Sequence, residues 1–268
     1  MSPSIVIVAH RSRAELDALL PTLPAEAEVI VVDTDGSAAG LEGAQIVERH
    51  DNPGFGPANN AGVAIASREV CVLLNPDVVA PRGAIERLAA LARDRDTLVV
   101  PRLRNADGSV QRSAFAVPGG PAAVLHALVP GPLRREPWRA ERPSEVGWAL
   151  AAALAAPTVL LRSLGPFDPD AFLFYEDMDL CLRARAAGIP TVLHPEVELI
   201  HLGGHSTAQA FGGEPADLLA RRRRIVVEAN LGRTARRWDV AAQLAEFASR
   251  SWRRRDRIRL RAVLRARG

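Results

Sequence analysis

Cysteine is scarce: Cys71 and Cys181 are the only two, too few for a disulfide framework or a thiolate metal cluster. Both sit in apolar patterns, which suits reduced core thiols. A bilayer-length apolar run is also missing. The longest, residues 146–161, falls short of the ~20 residues that a spanning helix needs and contains Pro157, so it reads as buried strand followed by the start of a helix. Residues 1–4 have no basic character and lead straight into apolar residues 5–9. That is not the build of a secretory signal, so the expected location is the cytoplasm. Glycine is absent from residues 9–13, directly after the first apolar run. Without a G-x-G-x-x-G turn there, a pyrophosphate has no close backbone to approach, which argues against a dinucleotide-binding oxidoreductase. No internal repeat is visible. Lysine is missing altogether, all 34 basic residues being arginine, and no mechanism follows from that.

What is present is an ordinary globular mixture. With 268 residues, 48% apolar and 24% charged, the chain can bury a large α/β core and is neither disordered nor fibrous. Its charge is unevenly placed. Residues 221–268 carry 16 Arg against four acids, a balance of +12, whereas the whole chain is only +3, which leaves −9 on the first 220 residues.

Residues 5–9 and 29–32 are continuous apolar runs separated by a helical pattern containing Leu16, Leu19 and Leu20. That order predicts strand, helix, strand. A short strand over 45–48, a loop over 51–56, a helix over 57–67 and a strand over 70–74 follow. Continuous rather than alternating strands imply a mostly parallel sheet covered on both faces. Such sheets place ligands at the carboxyl ends of their strands, where Asp33 and Asn75–Pro76–Asp77 stand. Farther on, a helix over 83–93, a strand over 97–101 and a turn at Asn105–Gly108 are expected. Residues 118–143, rich in Pro, Gly and Arg, read as an exposed loop or lid. An apolar strand over 146–155, a helix starting within 172–187 and a strand over 191–200 complete the pattern. Residues 216–231 and 240–264 read as basic helices. The expected organisation is a catalytic domain over 1–207 and an Arg-rich helical appendage over 208–268.

Three clusters could do chemistry. Asn75–Pro76–Asp77 places a carboxylate on a sharp turn after a rigid strand, as a hard cation such as Mg²⁺ or Mn²⁺ requires, though an Asn-Pro turn alone would look the same. Glu176, Asp177 and Asp179 put three acids into four residues behind Phe174 and Tyr175. Acids in a first helical turn can serve simply as capping charges. A carboxylate beside another carboxylate and an apolar wall also holds its proton more tightly, which suits a general base. Residues 201–207, HLGGHST, put His201 just beyond a strand with a flexible Gly pair behind it, able to face a metal or phosphate or to be merely structural.

The order of these segments resembles family 2 glycosyltransferases of the GT-A fold, in particular their rhamnosyltransferase-like branch. The resemblance rests on IVIVAHR, VIVVDTDGS, NPGFGPANNAG at 52–62, LLNPD at 73–77, VGW at 146–148, GPFDPDAFLFYEDMDLCLRARAAG at 165–188 and HLGGHST at 201–207. It implies an α/β, GT-A-type, mostly parallel sheet flanked by helices. It also implies an inverting transfer from a dTDP- or UDP-linked sugar, rhamnose being one candidate, to a glycan, lipid-linked or small-molecule acceptor. Asp33 is similar to the acid that receives the base N–H of the nucleotide, with Asp35 near the ribose, and Asn52, Asn59 and Asn60 match the lining of the nucleotide and sugar pocket. Asn75 stands at the first position of the Asp-X-Asp motif. Asp77 and His201 match the metal ligands for Mg²⁺ or Mn²⁺. Asp177 matches the base, Glu176 and Asp179 shape its pocket, and Trp148 lies on the acceptor side.

The chain departs from that branch at several places. Thr34 replaces a common Asn, Ala151–Ala152 replaces Gly-Ala, Ala155–Pro157 replaces more polar residues, and Gly165–Pro166 replaces Gly-Gly. These changes bear on the acceptor side more than on the donor side. The alternative is an inactive relative that binds a nucleotide sugar or serves as a membrane-associated partner. Arg250–Arg261, with Trp252, Ile258 and Leu260 interleaved, suits contact with an anionic membrane surface on the inner face of the cell membrane. No nucleic-acid motif accompanies the charge.

Overall fold

The structure, a computed structural model, describes residues 2–130, 133–169, 172–203 and 214–266. Residues 170–171 of the acidic segment and residues 204–207 of HLGGHST lie outside the described residues. The chain divides into two compact units, Met1–Phe115 with Pro137–Ser206 and Ala116–Glu136 with Thr207–Gly268. In chain order the strands are β1 (Ser4–Ala9), β2 (Glu28–Asp33), β3 (Gln45–Glu48), β4 (Val70–Leu74), β5 (Val78–Val79), β6 (Leu98–Arg104), β7 (Ala114–Phe115), β8 (Ser144–Val146), β9 (Trp148–Ala149), β10 (Ala153–Pro157) and β11 (Thr191–His201). The helices are α1 (Arg13–Leu19), α2 (Phe55–Ile65), α3 (Ala84–Ala92), α4 (Pro121–Leu128), α5 (Thr158–Leu164), α6 (Glu176–Ala186), α7 (Ala216–Ala248) and α8 (Arg254–Arg265).

The first unit is built on one mostly parallel sheet in the order β3-β2-β1-β4-β10-β6-β11-β5, with β8 beside β11. β3, β2, β1 and β4 run the same way. β10 is antiparallel to both β4 and β6, which restores that direction to β6 and to its parallel partner β11. Val70–Leu74 are buried along their whole length, as a strand covered on both faces must be. The continuous Val/Ile/Leu runs in the sequence thus led to the right architecture. Since β1, β2, β4, β6 and β11 share one direction, their carboxyl ends form one edge of the sheet, and β10 begins at that edge because Ala153 pairs with Leu74.

α2 lies tight against this sheet. A Cβ on Gly62 would sit 2.3 Å from Val6 Cγ1 and 3.2 Å from Val32 Cγ2, so only glycine permits the approach. The loop before α2 is pinned in a similar way. Gly54 has φ +95, a Cβ there would lie 2.1 Å from the Phe172 carbonyl oxygen, and the Phe55 N–H donates to that same oxygen.

Several elements differ from expectation. Residues 118–143 are not simply a loop or lid: Pro121–Leu128 is a helix, with Pro at its first turn where a missing N–H costs nothing. The strand expected over 146–155 is split into β8, β9 and β10, because Gly147 and residues 150–152 turn the chain out of the sheet. The first basic helix breaks at Gly232, as expected, but the second stretch divides where one helix over 240–264 is expected. α7 runs on to Ala248, with its non-helical break at Gly232, and α8 begins only at Arg254.

In the second unit, ion pairs hold the helices. Arg223 grips the buried Asp239 through two hydrogen bonds of 2.9 and 2.7 Å, and Glu214 takes Arg255 and Arg259. No helix among the described residues is long and apolar enough to cross a membrane. Gly62→Ala should lower stability by about 1–3 kcal/mol through overpacking against Val6. Urea unfolding followed by circular dichroism measures this, and an unchanged midpoint would refute the close contact.

Candidate active site

The shared strand edge gathers most of the residues that the sequence singled out. Asp33 ends β2 and is 2% exposed. Its Oδ1 accepts the N–H groups of Asp35 and Gly36, and its Oδ2 accepts that of Ala38. The acid therefore folds its own turn. Two carboxylate oxygens offer about four acceptor places, and these three bonds leave one of them, on Oδ2, for a donor from outside. Asp35 is held in turn by the Arg11 N–H at 2.8 Å. Burial raises the Asp35 carboxyl, but hydrogen bonds from Ser37 and Arg11 outweigh it and hold the group below its usual range. Thr34 donates to the Ala9 carbonyl and faces His10 Nδ1, so it secures the β1–β2 strand ends without an amide.

The asparagines are tied to main chain. Asn60 donates to the Phe167 carbonyl and accepts the Phe167 N–H, clamping the 165–168 segment onto α2. Asn59 donates to the Phe55 carbonyl. Asn52 takes a left-handed conformation, φ 42, where the chain bends into the loop.

At the end of β4 the chain turns through Asn75, Pro76 and Asp77 to face the end of β11. His201 Nε2 lies 3.4 Å from Asp77 Oδ1 and 3.4 Å from Asn75 Nδ2. Asp77 Oδ2 accepts the Gly203 N–H and its carbonyl accepts that of Leu202. Burial would raise Asp77, but the His201 ring when it is protonated, together with the Gly203 N–H, holds it below the usual carboxylate range; a neutral ring leaves only the N–H to do so. On its other side His201 Nδ1 lies 2.9 Å from Gln111 Oε1. Sequence reasoning did not single out Gln111. The turn residues 105–109 foretell only that the chain folds back, so that the Gln111 N–H bonds the Leu103 carbonyl; they do not foretell contact with His201.

These donors fit a divalent cation. Two ligands about 2.1 Å from one octahedral ion stand ~3 Å apart, near the observed 3.4 Å between Asp77 and His201. Asn75 Oδ1 is buried with no hydrogen-bond partner beside them, and a buried acceptor left so is costly unless something else meets it. No group of three or more His, Cys, Asp or Glu suited to a metal occurs among the described residues. Mg²⁺ and Mn²⁺ sites commonly take one or two protein ligands and fill the rest with phosphate and water.

The acidic cluster opens α6. Phe174 and Tyr175, both non-glycine, have φ 73 and 63, a strained pair of the kind that concentrates at functional sites. Their bend delivers Glu176 and Asp177 to the site edge. No side chain caps the helix at Tyr175, and Asp177 Oδ1 takes the first-turn Met178 N–H at 2.7 Å, so part of the acids' role is to serve the helix N-terminus. Asp179 pairs with Arg183 at 2.7 Å, and Arg183 also reaches the carbonyls of Leu164 and Pro166. Trp148 stacks on Phe115 at 4.2 Å and leans on Tyr175 at 6.0 Å, walling this side.

Burial pushes Asp177 up to about 6, against the N–H groups of Met178 and Ala151, which favour its charged form. That second N–H matters for assembly. The Ala151 N–H favours the charged form of Asp177 while the next residue, Ala152, accepts the Asn75 N–H at 2.8 Å. One short stretch of main chain therefore joins the metal-side turn to the acidic helix. Only backbone atoms are used, so alanine serves at 151 and 152 where the resembled branch has Gly-Ala.

Residues 4–118 match the family model described as Glycosyl transferase family 2. That stretch is similar to family 2 glycosyltransferases. It is 37% identical over 160 residues to the N-acetylglucosaminyl-diphospho-decaprenol L-rhamnosyltransferase of Mycobacterium tuberculosis, covering 56% of this chain and 50% of that protein. The chain thus spans about half the length of that relative. Among solved structures, GalNAc-T7 with UDP, GalNAc and Mn²⁺ superposes with a TM-score of 0.62 at 18% identity, over 94% of this chain and 50% of that one. The Pyrobaculum calidifontis mannosyltransferase PcManGT with GDP-Man and Mn²⁺ gives 0.58 at 15%, over 99% and 86%. At such identities the likeness establishes the GT-A-type fold. The family model covers Asp33 to Asp77 and Gln111, whereas Asp177 and His201 lie beyond it.

A buried carboxyl that titrates high in the folded state favours folding when protonated and opposes it when charged. Asp177→Asn should therefore stabilise the first unit at pH 8 by on the order of 1–2 kcal/mol, after discounting for partial exposure. The gain should shrink as pH falls through about 6 and be gone below the unfolded value near 4. Chemical unfolding at pH 4.5 and pH 8 tests this, and equal effects at both pH values would refute it.

Proposed function

We propose that the chain is an inverting glycosyltransferase that moves a sugar from a nucleoside-diphosphate donor to a hydroxyl of a glycan, with Asp177 as base. The observation that carries this is the stretch Ala151–Ala152, whose one N–H favours the charged form of Asp177 and whose next carbonyl holds the Asn75 N–H, so that base and Asn75–Asp77 turn share one part of the sheet edge. In the transfer, Asp177 takes the proton of the acceptor hydroxyl. The acceptor oxygen bonds to the anomeric carbon, and the bond from that carbon to the donor diphosphate breaks, its electron pair leaving on the diphosphate oxygen. Attack and departure must lie on opposite faces of one carbon, so base and diphosphate site have to be separate and close.

Asp33 offers its remaining acceptor place to the N–H of a uracil or thymine base, and Asp35 stands by the ribose. Asp77 and His201 would hold Mg²⁺ or Mn²⁺, which when bound neutralises charge on the leaving diphosphate. Asn52, Asn59 and Asn60 shape the donor loop through their main-chain bonds, Glu176 and Asp179 set the position of α6, and Trp148 walls the acceptor side. The name of the mycobacterial relative supports a rhamnosyl donor and a lipid-linked diphosphate acceptor. Asp177→Asn should leave UDP or dTDP-sugar binding nearly unchanged and cut turnover at least about 100-fold. In the parent chain kcat/KM should fall as pH drops through about 6, where Asp177 becomes protonated. Metal-dependent release of nucleoside diphosphate measures both. A fully active Asn variant, or no release from any nucleotide sugar, would overturn the reading in favour of another base or of an inactive binding relative.

A lipid-linked acceptor calls for a membrane surface, and we infer that the second unit supplies the contact. α8 buries Asp256, Ala262 and Val263 and turns outward Arg254, Arg257, Ile258, Arg261 and Leu264, with Trp252 70% exposed just before it. Interleaved Arg and apolar side chains suit the headgroup layer, at about 1 kcal/mol for each basic residue near anionic lipid. Vesicles containing phosphatidylserine should pull down the full chain at low salt and release it at high salt. Failure to bind at low salt would end this reading.

A further inference from the structure

His201 can face a cation only if the proton of its neutral imidazole sits on Nδ1, and one residue outside the acidic clusters decides that. We propose that Gln111 is a positioning residue that holds His201 in its Nδ1–H form and turns the bare Nε2 toward Asp77. The inference rests on the donor-site reading above and deepens it.

The amide of Gln111 has its orientation set by its neighbours. Its Nε2 lies 3.0 Å from Asn105 Oδ1 and 3.3 Å from the His201 carbonyl oxygen. Both are acceptors, so that end must be the NH₂. The opposite end, Oε1, is then an acceptor and faces His201 Nδ1 at 2.9 Å. An acceptor so placed requires N–H on Nδ1, and a neutral ring with its proton there has a lone pair on Nε2. The 3.4 Å from Nε2 to Asp77 Oδ1 is long for a charge-assisted hydrogen bond, which spans about 2.7–2.9 Å.

The fold explains why Gln111 stands there. β6 and β11 are parallel neighbours with Arg104 opposite Ile200, so His201 comes one step beyond that pair. The turn after β6 is closed by Asn105, Gly108 and Ser109 and doubles back, Arg104 bridging to Val110. Residue 111 thereby reaches the level of His201. Asn105 does two jobs: it closes this turn, and it holds the amide end of Gln111.

The role has a known logic. An outer partner on the second ring nitrogen fixes tautomer and ring orientation, and its loss typically weakens metal affinity 10- to 100-fold. The test uses the full chain with UDP, titrated with Mn²⁺ and followed by electron paramagnetic resonance. Gln111→Met, close in length and unable to accept, should weaken Mn²⁺ binding about 10- to 100-fold. Gln111→Glu keeps the acceptor and should stay within about threefold of the parent, which loss of packing alone would not predict. In Mg²⁺- and UDP-bound samples, long-range ¹H–¹⁵N spectra should show His201 with Nδ1–H in the parent and the Glu variant, and should lose that signature in the Met variant. Parent-like Mn²⁺ affinity and an unchanged ring spectrum in Gln111→Met would overturn the proposal, and so would loss of the Nδ1–H signal in a folded Gln111→Glu should the Met variant not fold. Absence of Mn²⁺ binding by the parent itself would instead overturn the donor-site reading.

Discussion

The site depends on a crossing of main chain. Residues 150–152 leave the sheet just before β10, and in passing they present one N–H that favours the charge on Asp177 and give one carbonyl to the Asn75 N–H. Because backbone geometry is stiff, this stretch helps set the metal-side turn and the acidic helix relative to each other, using main-chain atoms on its own side and the Asp177 carboxylate on the other. It also explains why alanine is tolerated there. A methyl group points away from an interaction made by N–H and C=O, and neither Ala151 nor Ala152 has a positive φ.

Holding a carboxylate in such a place is costly, and the surrounding structure shows where the cost is met. Phe174 and Tyr175 adopt left-handed conformations that non-glycine residues take at an expense of about 1–3 kcal/mol each. The aromatic stack of Trp148 on Phe115 and the Asp179–Arg183–Leu164 tie hold α6 against that strain. The result is a carboxyl group whose proton affinity is raised by burial while two N–H groups keep its charged form within reach. Those are opposing demands, and a base working near neutral pH needs both.

Much of this was legible in the sequence, for definite reasons. Continuous apolar runs ending in Asp33 and in Asn75–Pro76–Asp77 predict parallel strands and put those acids at one edge, since strand direction and site edge are coupled. What period and composition could not give was contact between distant segments. Nothing local marks Gln111 as the partner of His201, because their neighbourhood arises from the pairing of β6 with β11. The helix Pro121–Leu128 was hidden by the Pro and Gly around it, whose turn signals outweighed an eight-residue helical pattern. Gly232 breaks the first basic helix just where the pattern ended it, but the single helix expected over 240–264 is interrupted between Ala248 and Arg254, where no Gly or Pro marks the stop. Asn59 and Asn60 carry a similar lesson. Polar residues in a motif can be retained for main-chain bonds, as Asn60 shows at Phe167.

The charge distribution bears on how a donor could be held at all. The first 220 residues carry a balance of −9, and a nucleoside diphosphate is itself an anion. Diffuse repulsion is screened over about 8 Å at physiological ionic strength, so what decides is the set of groups within the first few ångströms. There the strand edge presents Asp33 with three of its places already filled by N–H groups, Asp35 held by the Arg11 N–H, and Asp77 shared between Gly203 and His201. Each acid is committed before any ligand arrives, so little bare negative charge faces the donor. A cation between Asp77 and His201 would complete that neutralisation at the one point where the diphosphate must rest.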